Sequence, residues 1–101
     1  MDMKSLLKKF VETESPSHDH EAVSRVSALV AAESHRLGAQ VEIVPNKETG
    51  DHVVARFSSV SSSKPILLLC HMDTVFPLGT LAKMPFREAD GKIFGPGVLD
   101  M

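Results

Sequence analysis

The chain has 101 residues, 43% of them hydrophobic and 24% charged, with a net charge of −2. That is a globular chain with room for one ordinary domain, and it is too apolar for intrinsic disorder. A pI near 6.2 and the absence of Trp and Tyr leave neither a basic footprint nor aromatic stacking platforms, so no nucleic-acid partner is expected. The strongly apolar runs fall far short of the roughly 20 residues that cross a bilayer. The N-terminus lacks the uninterrupted apolar stretch of a secretory signal. Cys70, the one cysteine, has no partner for an internal disulfide. A cytoplasmic protein with no membrane partner is the expectation.

Residues 3–14 read as a helix, with Leu6, Leu7, Phe10 and Val11 at helical spacing and Lys8, Lys9 and Glu12 on the other side. Ser15-Pro16-Ser17 ends it, because proline disfavours helical geometry in the residue before it. A second helix runs from about residue 18 or 19 to 37, capped by Ser17 or Asp19. Its apolar stripe is Ala22, Val23, Val26, Leu29, Val30 and Leu37, and Gly38 suits a left-handed C-terminal cap. The period then changes to two. Residues 40–44 and 52–57 predict strands around a turn at 47–51, and 58–63 is a serine-rich connection containing Ser58, Ser59, Ser61 and Ser62. Ile66-Leu67-Leu68-Leu69-Cys70 is apolar at every position and predicts a strand interior to a sheet, covered on both faces. On that reading Cys70 packs in the core, opposite His71. Last, Asp90-Gly91 between residues 86–89 and 92–94 predicts a hairpin.

The chemistry gathers just after the apolar run, in His71-Met72-Asp73-Thr74-Val75. Ligands of open α/β sheets collect beyond the carboxyl ends of strands. A histidine there can offer one ring nitrogen to a metal, while a carboxylate two residues on holds the other. The plainer alternative is a histidine ending a core strand and an aspartate starting a turn. Gly95-Pro96-Gly97-Val98-Leu99-Asp100 is a second candidate: two glycines bring backbone close to a site and deliver an acid. Imidazole, carboxylate and water suit a hydrolytic zinc ion, or a pair. Here the alternative is a glycine-rich turn with Asp100 as an ordinary surface acid.

Taken together, these motifs resemble the zinc aminopeptidase and deacylase family of glutamate carboxypeptidase, acetylornithine deacetylase and succinyl-diaminopimelate desuccinylase. The likeness extends to Glu14-Ser15-Pro16-Ser17, Leu37-Gly38-Ala39 and Thr49-Gly50-Asp51-His52-Val53, and is greatest to the glutamate carboxypeptidase branch. It implies an α/β fold, the N-terminal part of a zinc-exopeptidase-like catalytic domain with two helices packed on a mixed sheet. It implies that His71 is a ligand of one zinc, that Asp100 bridges two zincs, and that Asp73 serves catalysis by orienting His71. A cis peptide after Asp100 is implied as well. The activity implied is metal-dependent hydrolysis of an amide bond in a small peptide or N-acylated amino acid, with manganese or cobalt as acceptable ions.

The family's general-base glutamate and further ligands, and the domain through which members form homodimers, have no counterpart in residues 1–101. The resemblance therefore implies a chain that is incomplete and inactive alone. A rival expectation is a small non-catalytic α/β module that keeps the motifs as structure. Elsewhere, His18 and His20 diverge at a helix start and predict no metal site. His35 is expected to be exposed near a helix C-terminus, and His52 to be structural.

Overall fold

A computed structural model describes residues 2–58 and 63–100. Helix α1 spans Met3–Val11 and starts where Asp2 accepts the amide of Ser5 at 2.8 Å. It stops short of residue 14 because the following residues run extended and bond across to a distant loop. The amide of Thr74 donates to Ser15 O at 2.8 Å and that of Ser17 to Thr74 O at 3.0 Å, forming a parallel bridge between Pro16 and Thr74.

Helix α2, His20–Arg36, is capped by Asp19, which accepts the amide of Ala22 at 3.0 Å. It ends at Gly38 (φ 96°), where the amides of Gly38 and Ala39 close back on His35 O and Ser34 O. That pairing leaves fewer terminal carbonyls unsatisfied. Ala22, Val23, Val26 and Ala31 are buried. Leu37, expected in the same stripe, is 59% exposed, because it lies past the last helical residue, where the chain turns away.

Strands β1 (Gln40–Val44) and β2 (His52–Arg56) form an antiparallel hairpin, from Gln40 opposite Arg56 to Val44 opposite His52. Helix α2 packs on it. Ser27 ties the two together, its hydroxyl reaching Asp51 O at 2.6 Å. The hairpin turn comes so close to α2 that a Cβ on Gly50 (φ 104°) would stand 2.6 Å from Val23 side-chain carbons.

The C-terminal part holds α3 (Thr80–Lys83), which the sequence did not announce, and the antiparallel strands β3 (Arg87–Ala89) and β4 (Lys92–Phe94). Both turn residues between them, Asp90 (φ 52°) and Gly91 (φ 72°), are left-handed, as a two-residue hairpin turn requires. Helix α1 meets this hairpin through Lys4 and Glu88, 2.9 Å apart, and through Val11 beside Gly95.

The chain is α/β, but among the described residues its pairing is two separate antiparallel hairpins plus one parallel bridge. Residues 66–70 do not form the expected interior strand. Ile66, Leu67, Leu68 and Leu69 are 88, 84, 82 and 91% exposed, and Cys70 is exposed too. A covered central strand needs a neighbour on each edge. Here β1 and β2 pair locally with each other, and no described strand pairs with 66–70. Among the described residues, the buried apolar side chains of the core, Val11, Ala22, Val23, Val26, Ala31 and Ala39, include none larger than valine. The radius of gyration of 15.0 Å exceeds the roughly 13 Å of a compact chain this long. Ser59, Ser61, Ser62 and the peptide after Asp100 lie outside the described residues.

Candidate metal-binding site

The site is built on the bridge between residues 15–17 and 72–74. Pro16 keeps Ser15 out of helical geometry, so this short segment is extended and can pair like a strand. Ser15, 1% exposed, donates its hydroxyl to Met72 O at 2.8 Å. Glu14 holds the following loop, its carboxylate accepting the amides of Gly79 at 3.0 Å and Leu81 at 3.2 Å.

On this base His71 sits half-exposed, with Nδ1 3.1 Å from Asp73 O and 3.2 Å from Asp73 Oδ1. Both neighbours of Nδ1 are acceptors, so the proton of the neutral ring belongs there and Nε2 keeps its lone pair. Nε2 faces Asp100 Oδ2 at 3.8 Å. Asp100 arrives from the glycine turn, where Gly97 has φ 74° and the amide of Val98 donates to Gly95 O at 3.3 Å. The second oxygen of Asp73, Oδ2, accepts the hydroxyl of Ser17 at 2.6 Å.

These contacts set the charges. The backbone carbonyl of Asp73 is the main cause lifting the pKa of His71 above the ordinary histidine value; partial desolvation opposes it, and the carboxylates of Asp73 and Asp100 add to the rise. The hydroxyl of Ser17 is the main cause holding Asp73 below the ordinary carboxylate value, again against desolvation, with help from His71.

The structure thus brings His71, Asp73 and Asp100 together. Asp73 stands on the Nδ1 side, so only His71 Nε2 and Asp100 face a common point. Their 3.8 Å separation suits one small cation, since zinc bonds of about 2.0–2.2 Å at tetrahedral angles place two donors roughly 3.4 Å apart. Among the described residues no group of three or more His, Cys, Asp and Glu side chains is arranged to hold a metal. His20 lies instead 3.9 Å from Asp51, His35 is exposed, and His52 Nε2 meets the Asn46 side chain at 3.0 Å.

Of the two candidate caps, Ser17 and Asp19, it is Asp19 that caps α2, and the role of Ser17 beside Asp73 was not legible in the sequence. The nearest signal to it is Pro16, which marks a strand-like segment with a serine on each side.

No family model matches the chain. It is similar to Carboxypeptidase G2 of Pseudomonas sp. (strain RS-16), 35% identical over 96 residues that make up 93% of this chain and 23% of the relative. The chain therefore spans about a quarter of the length of the curated relative it matches. A likeness running through nearly all of these residues supports a relationship to a peptidase.

Proposed function

We propose that these residues belong to a metal-dependent hydrolase that cleaves the amide bond of a small peptide or N-acylated amino acid, in the manner of a glutamate carboxypeptidase. The observation that carries this reading is the pairing of His71 Nε2 with Asp100 Oδ2 at 3.8 Å, while Asp73 occupies Nδ1. The donor set fits zinc, a neutral imidazole and a carboxylate being two of its ordinary ligands, and manganese and cobalt accept the same pair. His71 and Asp100 would hold the ion, Asp100 lying between two ions where a pair binds. Asp73 orients His71. The chemistry such an ion supplies when bound is polarisation of the scissile carbonyl and activation of water near neutral pH.

In this reading the chain is the N-terminal portion of a cytoplasmic enzyme's catalytic domain. It is inactive alone, because the further carboxylate beside this pair, that of Asp73, is engaged by His71 Nδ1 and Ser17 Oγ rather than free to take a proton from water. General-base catalysis typically contributes 10²–10⁴-fold.

Zinc titration calorimetry with the chain, His71→Ala and Asp100→Asn tests the reading. Four-ligand zinc sites are worth about 10–16 kcal/mol. Half the ligands keep on the order of 5–8 kcal/mol, a Kd of roughly 1 μM to 0.2 mM. Binding in that range, lost in both variants, is expected, with no turnover of N-acyl amino acids or glutamate amides. Binding indifferent to both substitutions overturns the metal reading and leaves a non-catalytic module. Turnover that His71→Ala abolishes overturns the inactivity.

A further inference from the structure

We propose that Ser17 is a positioning residue for this site: by anchoring one oxygen of Asp73, its hydroxyl selects the His71 tautomer that leaves Nε2 open toward Asp100. The inference rests on the reading above only in taking Nε2 as the metal donor.

The two oxygens of Asp73 are divided between two tasks. Oδ2 accepts from Ser17 Oγ at 2.6 Å, and Oδ1 lies 3.2 Å from His71 Nδ1. A carboxylate bonded at one oxygen cannot turn about its last torsion without breaking that bond. The distance falls in the range of about 2.5–2.7 Å usual for a hydroxyl on a charged carboxylate, a class stronger than neutral hydrogen bonds. Ser17 is itself fixed, since its amide donates to Thr74 O at 3.0 Å within the Pro16–Thr74 bridge. Its hydroxyl also lies 3.1 Å from Thr74 O, but has one proton, and the shorter charged contact takes it. Helix capping makes no claim on Ser17, because Asp19 does that work for α2.

The consequence falls on histidine. A neutral imidazole in water favours the proton on Nε2, which would turn a donor toward Asp100 and block cation binding. Two acceptors at Nδ1 reverse that preference, and Asp73 Oδ1 is the one that depends on Ser17. Without the hydroxyl, the partly exposed Asp73 carboxylate rotates into water and Nδ1 keeps only the backbone carbonyl of Asp73. Partners at this remove from a metal typically change affinity 10–100-fold.

The test reads the tautomer without metal. Long-range ¹⁵N–¹H correlation spectra of His71, taken in the zinc-free chain above the pH at which the ring titrates, distinguish Nδ1–H from Nε2–H. The chain and Ser17→Thr are expected to show mainly Nδ1–H, and Ser17→Ala a larger Nε2–H fraction, the Asp73 carbonyl still accepting at Nδ1. Zinc affinity is expected to fall about 10-fold in Ser17→Ala and to return in Ser17→Thr. Where Ser17→Ala fails to fold, Ser17→Cys keeps the volume with a weak donor and must show the same tautomer shift. An unchanged Nδ1–H tautomer in a folded Ser17→Ala or Ser17→Cys chain overturns the proposal. With His71→Ala still losing zinc, that result leaves the metal reading standing. Zinc binding untouched by His71→Ala removes the metal reading instead, while the tautomer spectra continue to judge Ser17.

Discussion

Ser15 and Met72 are 57 residues apart, yet the buried hydroxyl of one meets the carbonyl of the other at 2.8 Å. Ser15→Ala removes that donor and leaves a carbonyl short of a partner. Such a loss costs about 1–3 kcal/mol, a large share of the stability that a core of valines and alanines can supply. Urea unfolding followed by circular dichroism is expected to show a lower midpoint, and the Thr74 amide to exchange faster.

Gly50 supplies a second test, in the hairpin under α2. Alanine there meets Val23 carbons at 2.6 Å and is held at φ 104°. Left-handed strain costs roughly 1–2 kcal/mol and overpacking roughly 1–3 kcal/mol, so Gly50→Ala is expected to cost about 3 kcal/mol. Gly38→Ala, with a similar φ but open space around the new carbon, should be milder. Thermal unfolding of the two variants gives the comparison.

The raised pKa of His71 fixes the sign of a pH effect. Protonated His71 is favoured in the folded chain by the Asp73 carbonyl and by the carboxylates of Asp73 and Asp100. Its stabilisation is therefore full below the unfolded value of about 6.5 and fades as pH rises through the folded value. At a half-exposed site solvent screens the effect, so the observable is the titration itself. In an NMR pH titration His71 is expected to have its midpoint above those of unperturbed histidines, and Asp73→Asn to bring it down.

The exposed run at 66–69 predicts association. Four neighbouring large apolar side chains, each more than four-fifths exposed, form the kind of contiguous patch that soluble monomers rarely show. Sedimentation velocity is expected to report concentration-dependent self-association, and a hydrophobic dye to bind. Leu68→Lys should reduce both. A monodisperse chain that binds no dye overturns this.

The parts of the fold that the sequence revealed are those written in local pattern. Asp19 and Gly38 bracket α2, the alternation at residues 40–44 marks β1, and Asp90-Gly91 marks the last hairpin. The run at 66–70 misled because an all-apolar pattern reports the environment a strand would need, whereas pairing depends on which edges are available. His71 and Asp73 could be read together because only Met72 stands between them. The partnership of Ser17 with Asp73 could not, since the two are 56 positions apart and no periodicity spans that distance.

The bridge that carries the site also sets when it forms. α2, β1 and β2 are contiguous, and the turn from Val44 to His52 closes a loop of about eight residues. Joining Ser17 to Thr74 closes one of 57, which costs about 1.7 kcal/mol more in chain entropy. The helix and its hairpin can therefore condense early, with His71 and Asp73 still drifting. On the reverse journey the latch at Thr74 lets go first, ahead of global unfolding. Hydrogen exchange should record this as faster turnover of the Ser17 and Thr74 amides than of Val23 and Val26: a cation binding at His71 and Asp100 would meet a site that opens and closes many times in the lifetime of the fold.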